Sequence, residues 1–136
     1  MTLEQDQYRK ADILYKIAVK FKKSGLRSKS RSYASKALKN RPSMGKAYML
    51  IASLYASSAN SCGTMQFEKR AVYWLAAKTA RKAAAVDSGV KKTALKLAAS
   101  YEGRAPSKTD IFTEGRAGET ISFSCWINNS VTVPQL

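Results

Sequence analysis

The sequence predicts an all-α protein of about five helices, stacked as antiparallel hairpins and finished by a small C-terminal β-hairpin. Two observations carry the helical part. A pattern of bulky apolar residue, aliphatic-Ala three and four positions on, and aromatic at seven appears as Leu14-x-x-Ile17-Ala18-x-x-Phe21. It returns as Tyr48-x-x-Ile51-Ala52-x-x-Tyr55 and as Ala94-x-x-Leu97-Ala98-x-x-Tyr101, and the first two copies lie 34 positions apart. That period belongs to helix-turn-helix repeat arrays. The third observation is the alternation of Thr120 to Ile127, which places Ile121, Phe123, Cys125 and Ile127 on one face of a strand.

Each element follows from local chemistry. The first helix covers about Leu3 to Ser24, with Ile13, Leu14, Ile17, Ala18 and Phe21 as one apolar stripe. Gly25 stops it, because glycine accepts a left-handed turn at low cost. A second helix covers about Ser28 to Asn40 and buries Tyr33, Ala34, Ala37 and Leu38; Pro42 cannot continue it. The third covers Ser43 to about Ser58. Small polar residues from Ser57 to Thr64 read as a loop. A long fourth helix covers about Phe67 to Val86, and a fifth about Val90 to Glu102. Ser107 and Asp110 have capping-box spacing for a short helical turn. Asn128-Asn129-Ser130 is turn chemistry, and Val131 to Val133 returns as a second strand, expected to pack on the last helices.

Composition bounds the function. A chain of 136 residues suits one domain, and 45% hydrophobic residues is ordinary for a globular protein. With 24 Lys and Arg against 9 Asp and Glu, the net charge of +15 favours anionic partners; the plainer alternative is a solvated basic surface. Histidine is absent, which removes the commonest general base and metal ligand. The carboxylates form no evident catalytic pair, no glycine-rich phosphate loop occurs, and a serine or cysteine nucleophile lacks its usual activator. No enzymatic activity, metal or cofactor is therefore expected. Cys62 and Cys125 fit no CxxC spacing, leaving two free buried thiols or a disulfide as the two readings. No apolar run approaches the ~20 residues that cross a bilayer, and the N-terminus reads as polar and acidic, without a secretory signal.

The repeated pattern resembles tetratricopeptide repeats, and the resemblance reaches the second helix of each unit. That family favours small residue, aromatic, small residue and proline there. Ser30, Ala34, Ala37 and Pro42 occupy those places in unit one, with the aromatic missing; Ala76, Ala80, Ala83 and Ser88 occupy them in unit two, without aromatic or proline. The implied organisation is a right-handed solenoid with repeat one at 11–44, repeat two at 45–90 with an insertion near 57–66, a capping helix at 91–103, and a C-terminal extension at 104–136. Leu14, Ile17, Ala18, Phe21, Tyr48, Ile51, Ala52, Tyr55, Leu97, Ala98 and Tyr101 are its packing residues, the aromatics locking one hairpin against the next. The segments around Ser61-Cys62-Gly63 and Cys125-Trp126-Ile127-Asn128 are similar to bacterial tetratricopeptide proteins of envelope type. This implies a Cys62–Cys125 disulfide and a periplasmic or envelope setting if a signal was removed, and a cytoplasmic one otherwise.

The resemblance also implies a concave groove lined by the first helix of each unit. The groove positions are Asp12, Tyr15, Val19, Lys22 and Lys23, then Lys46, Met49 and Ser53, then Lys92. Tyr15 and Met49 suit an apolar side chain of a partner, and the lysines suit a carboxylate. Val19 and Ser53 stand where chaperone-binding relatives carry asparagine-type clamp residues, which argues against that specialised role. The expected function is a non-enzymatic scaffold that binds a protein or peptide. The alternative is electrostatic binding of nucleic acid or another polyanion through the basic 20–46 region. A peptide groove should tolerate moderate salt and depend on Tyr15 and Met49; a polyanion binder should lose affinity steeply with salt and depend on Lys20 to Arg31.

Overall fold

The computed structural model describes residues 2–136 and is mostly helical with one two-stranded antiparallel sheet. Six helices run in order: α1 Leu3–Lys23, α2 Arg27–Asn40, α3 Gly45–Ser57, α4 Gln66–Val86, α5 Lys91–Arg104 and α6 Lys108–Glu114. The strands are β1 Thr120–Phe123 and β2 Asn129–Thr132. The expected loop after α3 includes a single 3-10 turn, Ala59–Ser61.

Helix ends follow the sequence signals. Thr2 and Gln5 close a reciprocal capping box on α1. At its other end Gly25 adopts φ +77°, while the Leu26 amide donates back to the Phe21 carbonyl and the Gly25 amide to that of Lys22. This is the Schellman arrangement, and it turns the chain directly into α2. Ser107 and Asp110 form the expected box on α6. Its backbone and hydroxyl hydrogen bonds hold the Asp110 carboxyl below the ordinary Asp range.

Neighbouring helices pack as α1 on α2, α3 on α4, and α4 on α5. Small residues make those approaches close. Ala18 of α1 and Ala34 of α2 are fully buried, and the buried Ser30 hydroxyl donates to the Ala18 carbonyl at 2.7 Å. On α4, Ala71, Ala76, Ala77, Ala80 and Ala83 are all fully buried. Ile13, expected on the buried stripe, is instead 53% exposed, because α1 packs through Ala11, Ala18 and their flanks.

Of the three aromatics of the pattern, Tyr101 meets the preceding hairpin as expected, whereas Phe21 and Tyr55 find other ring partners. Phe21 lies 5.3 Å from Tyr33, inside the α1–α2 pair. Tyr101 lies 6.3 Å from Tyr73 of α4. Tyr55 stacks on Trp126 of the C-terminal segment at 5.8 Å. Ile51, Ala52 and Ala98 are buried, and Leu14, Ile17, Tyr48 and Leu97 are half-buried at the margins.

The extension shares the main core. Ile111, Ile121, Phe123, Ile127, Val131 and Val133 are buried in one cluster with Leu50, Tyr55, Val72 and Trp74. The strands pair Thr120 with Thr132 and Phe123 with Asn129, so the connecting turn is 124–128 and the first strand is shorter than its alternation suggests. Asn129 and Ser130, expected in the turn, belong to β2. The sheet lies against α4, while its turn reaches α2 and α3. The expected seat on the last helices is thus met at α4, and the turn adds contacts to α2 and α3.

Gly45 opens α3 against the α4–α5 turn, and its amide donates to Asp87 Oδ2 at 3.0 Å. A Cβ there would lie 2.5 Å from Val90 Cγ2 and 2.7 Å from Asp87 Cβ. We expect Gly45→Ala to destabilise the fold by ~1–3 kcal/mol, read as a lower urea midpoint at unchanged slope. An unchanged midpoint would show that the turn gives way freely.

Candidate functional site

Helices α1 and α3 present their expected groove positions side by side, and the structure has already paired several of them. Lys46 Nζ is 3.8 Å from the Asp12 carboxylate, and 4.6 Å from the Tyr15 ring centroid. Lys22 Nζ donates to Ser53 Oγ at 2.9 Å, and that hydroxyl donates to the Leu50 carbonyl. Val19 is half-buried against the main core, and Lys23 is exposed. Met49 lies elsewhere: it packs with Tyr48 and Val90 against Ala83, Ala84 and Ala94. Lys92 is exposed at the start of α5. The structure thus gathers Asp12, Tyr15 and Lys46 at one end and Lys22 and Ser53 at the other, with Met49 turned toward α4 and α5.

The residues around Trp126 form the densest polar arrangement. Arg31 of α2 donates to the Ile127 carbonyl at 2.5 Å, the Trp126 carbonyl at 3.0 Å and the Tyr55 hydroxyl at 3.3 Å. Its guanidinium also sits 4.9 Å from the Trp126 ring centroid. Trp126 Nε1 donates to the buried Ser58 hydroxyl at 2.8 Å, and Ser58 passes the bond to the Leu54 carbonyl. One residue back, Cys125 is disulfide-bonded to Cys62, with Cα atoms 5.5 Å apart. The turn of the β-hairpin is thereby tied to α2, α3 and the α3–α4 connection.

Sequence reasoning left Arg31 among the surface charges. Nothing in the local pattern of α2 separates Arg31 from Lys29 or Lys36; only the carbonyls brought by the tail do. Two other arginines behave alike. Arg70 donates to the Arg104 and Ala105 carbonyls and to Asp110, and Arg116 pairs with Glu119 and lies 4.0 Å from Glu68.

Beside Trp126 an open cleft of about 450 Å³ is lined by Gly25, Leu26, Arg27, Ser28 and Lys29. A second cleft, about 440 Å³, lies along the disulfide between Ser61–Thr64 and Ser122–Cys125. From Ile13 to Phe67 the chain carries 11 Lys and Arg and no carboxylate side chain, so the second half of α1 and all of α2 carry positive charge alone. Among the described residues, no helix is long and apolar enough to cross a membrane. No protein-family model, curated protein or solved structure matches the chain.

Two measurements test this site. Thiol titration of the denatured, unreduced protein should find no reactive cysteine, and two would remove the disulfide. Reduction should cost about 4 kcal/mol in the chain-entropy picture for a bridge spanning this separation. Burial raises the Tyr15 phenol above its ordinary value of 10.0. A raised folded-state value means the contribution is intact below pH ~10 and is lost as pH climbs through the folded value. The absorbance titration of wild type minus Tyr15→Phe should therefore show a phenol ionising above ordinary tyrosine; ionisation at or below 10 would mean the ring is solvated.

Proposed function

We propose that the chain is a non-enzymatic binding protein of the tetratricopeptide type, a right-handed solenoid of helical hairpins that takes an acidic protein or peptide partner on its helical surface. The observation that carries this reading is the carboxylate-free stretch from Ile13 to Phe67 with its 11 basic residues. A surface of one sign steers an oppositely charged partner and discourages self-association. Successive helices packed through small residues support the repeat reading. The paired state of Lys22 and Lys46 moves the emphasis from the expected groove to the outward lysines of α1 and α2, among them Lys16, Lys20, Lys23, Lys29 and Lys36. The disulfide supports an envelope setting, since such bonds persist in oxidising compartments.

Polyanion binding makes a different prediction. A blocked, glutamate-rich peptide and a single-stranded DNA oligonucleotide should be titrated in parallel at several salt concentrations. On our reading the peptide binds saturably at ~0.15 M salt, where charges about 8 Å apart are still felt. Each exposed reversal, such as Lys20→Glu or Lys23→Glu, weakens it roughly two- to fivefold. Oligonucleotide affinity that exceeds peptide affinity and falls with a slope of ~0.7 per phosphate contact would replace the peptide reading with the polyanion one.

A further inference from the structure

We infer that the cleft between the α1–α2 turn and Trp126 is the seat of this partner, and that it takes one apolar side chain flanked by carboxylates. The inference rests on the acidic-partner reading and gives it a place. Leu26 forms one wall and is 45% exposed, an unusual position for a leucine in a turn between two buried helix faces. The half-buried Trp126 forms another. The wall is rigid, because Arg31, Ser58, Tyr55 and the neighbouring disulfide hold the indole in place. A preformed apolar wall lowers the ordering cost of binding.

The rim supplies the charge. Arg27 and Lys29 line the cleft itself, and Lys23 lies two residues before its first lining residue, Gly25. Arg27 is oriented by its Nε–H bond to Ser57 Oγ at 3.1 Å, and Lys29 Nζ lies 5.7 Å over the Phe21 ring. No carboxylate of the flanking sequence neutralises them, since none occurs between Ile13 and Phe67. Apolar floor and cationic rim together match an acidic peptide with a single leucine or phenylalanine. They match a nucleic acid poorly. A base needs an open aromatic face, whereas Trp126 already gives face contacts to Tyr55 and to the Arg31 guanidinium.

The test is a ¹⁵N–¹H titration of the oxidised full chain with a blocked peptide holding one leucine between two pairs of glutamates. We expect shifts concentrated on the Leu26 to Lys29 amides and the Trp126 indole N–H. Replacing the peptide's leucine by glycine should weaken binding about tenfold, and Leu26→Ser in the protein by a similar factor. Phe112→Ser, at an exposed position on α6, should change nothing. Saturable binding with shifts at Asp12, Tyr15 and Lys46 instead would overturn the cleft and leave the acidic partner standing. Equal binding of the glycine peptide would overturn the apolar seat. An oligonucleotide that shifts the same resonances at lower concentration would overturn the choice of a peptide. No saturable binding at all would remove both the cleft and the reading it rests on.

Discussion

The position of the C-terminal segment depends on one guanidinium. Arg31 leaves α2, crosses the side of α3 and donates to two consecutive carbonyls of the β-hairpin turn, those of Trp126 and Ile127. The hairpin ladder ends at Phe123 and Asn129, so these carbonyls have no strand partner. Ile127 is fully buried. An orphaned acceptor at such a place costs ~1–3 kcal/mol, and water cannot reach it readily. Arginine is suited to the task, since its planar fork satisfies adjacent acceptors while stacking on aromatic faces. Trp126 is then held on its ring by Tyr55 and Arg31, at its nitrogen by Ser58, and through the chain by the Cys62–Cys125 bond.

This arrangement divides the positive charge of the protein into two populations. Arg31 and Arg70 act inward, binding carbonyls and a carboxylate that the tail brings to them, and the tail's own Arg116 reaches Glu68 of α4. Lys22 and Lys46 bridge α1 and α3. Lys16, Lys20, Lys23, Lys29 and Lys36 of α1 and α2 are exposed, as are Lys78, Lys82, Lys91, Lys92 and Lys96 of α4 and α5, and of these Lys29 lines the cleft walled by Leu26 and Trp126. The tail thus serves as a clasp for the helices and also completes the surface on which a partner is proposed to sit. A chain lacking the tail would keep the charge and lose one wall of the cleft.

Helix legibility came from two kinds of local signal that act within a few residues. The seven-residue pattern marked α1, α3 and α5, Gly25 and Pro42 bounded α2, and the expected ends of all five main helices lie within one or two residues of the observed ones. The box of Ser107 and Asp110 marked α6. The strand signal was less faithful. Ile121, Phe123 and Ile127 do alternate into the core, yet the ladder stops after Phe123 because Cys125 and Trp126 are drawn away toward Cys62 and Ser58. Period-two burial requires only a common apolar surface, and it does not require a paired strand.

The sequence by itself determined the helices, the small residues where they cross, the basic surface and the absence of histidine, because each is written in neighbouring residues or in counts. Only the tertiary structure decided which of the arginines face inward, where the aromatic rings find partners, and that Met49 turns from Tyr15 toward α4 and α5. Those outcomes depend on groups as far apart as Arg31 and Ile127. A side chain on the polar face of a helix has no local feature that reveals which distant carbonyl will come to meet it.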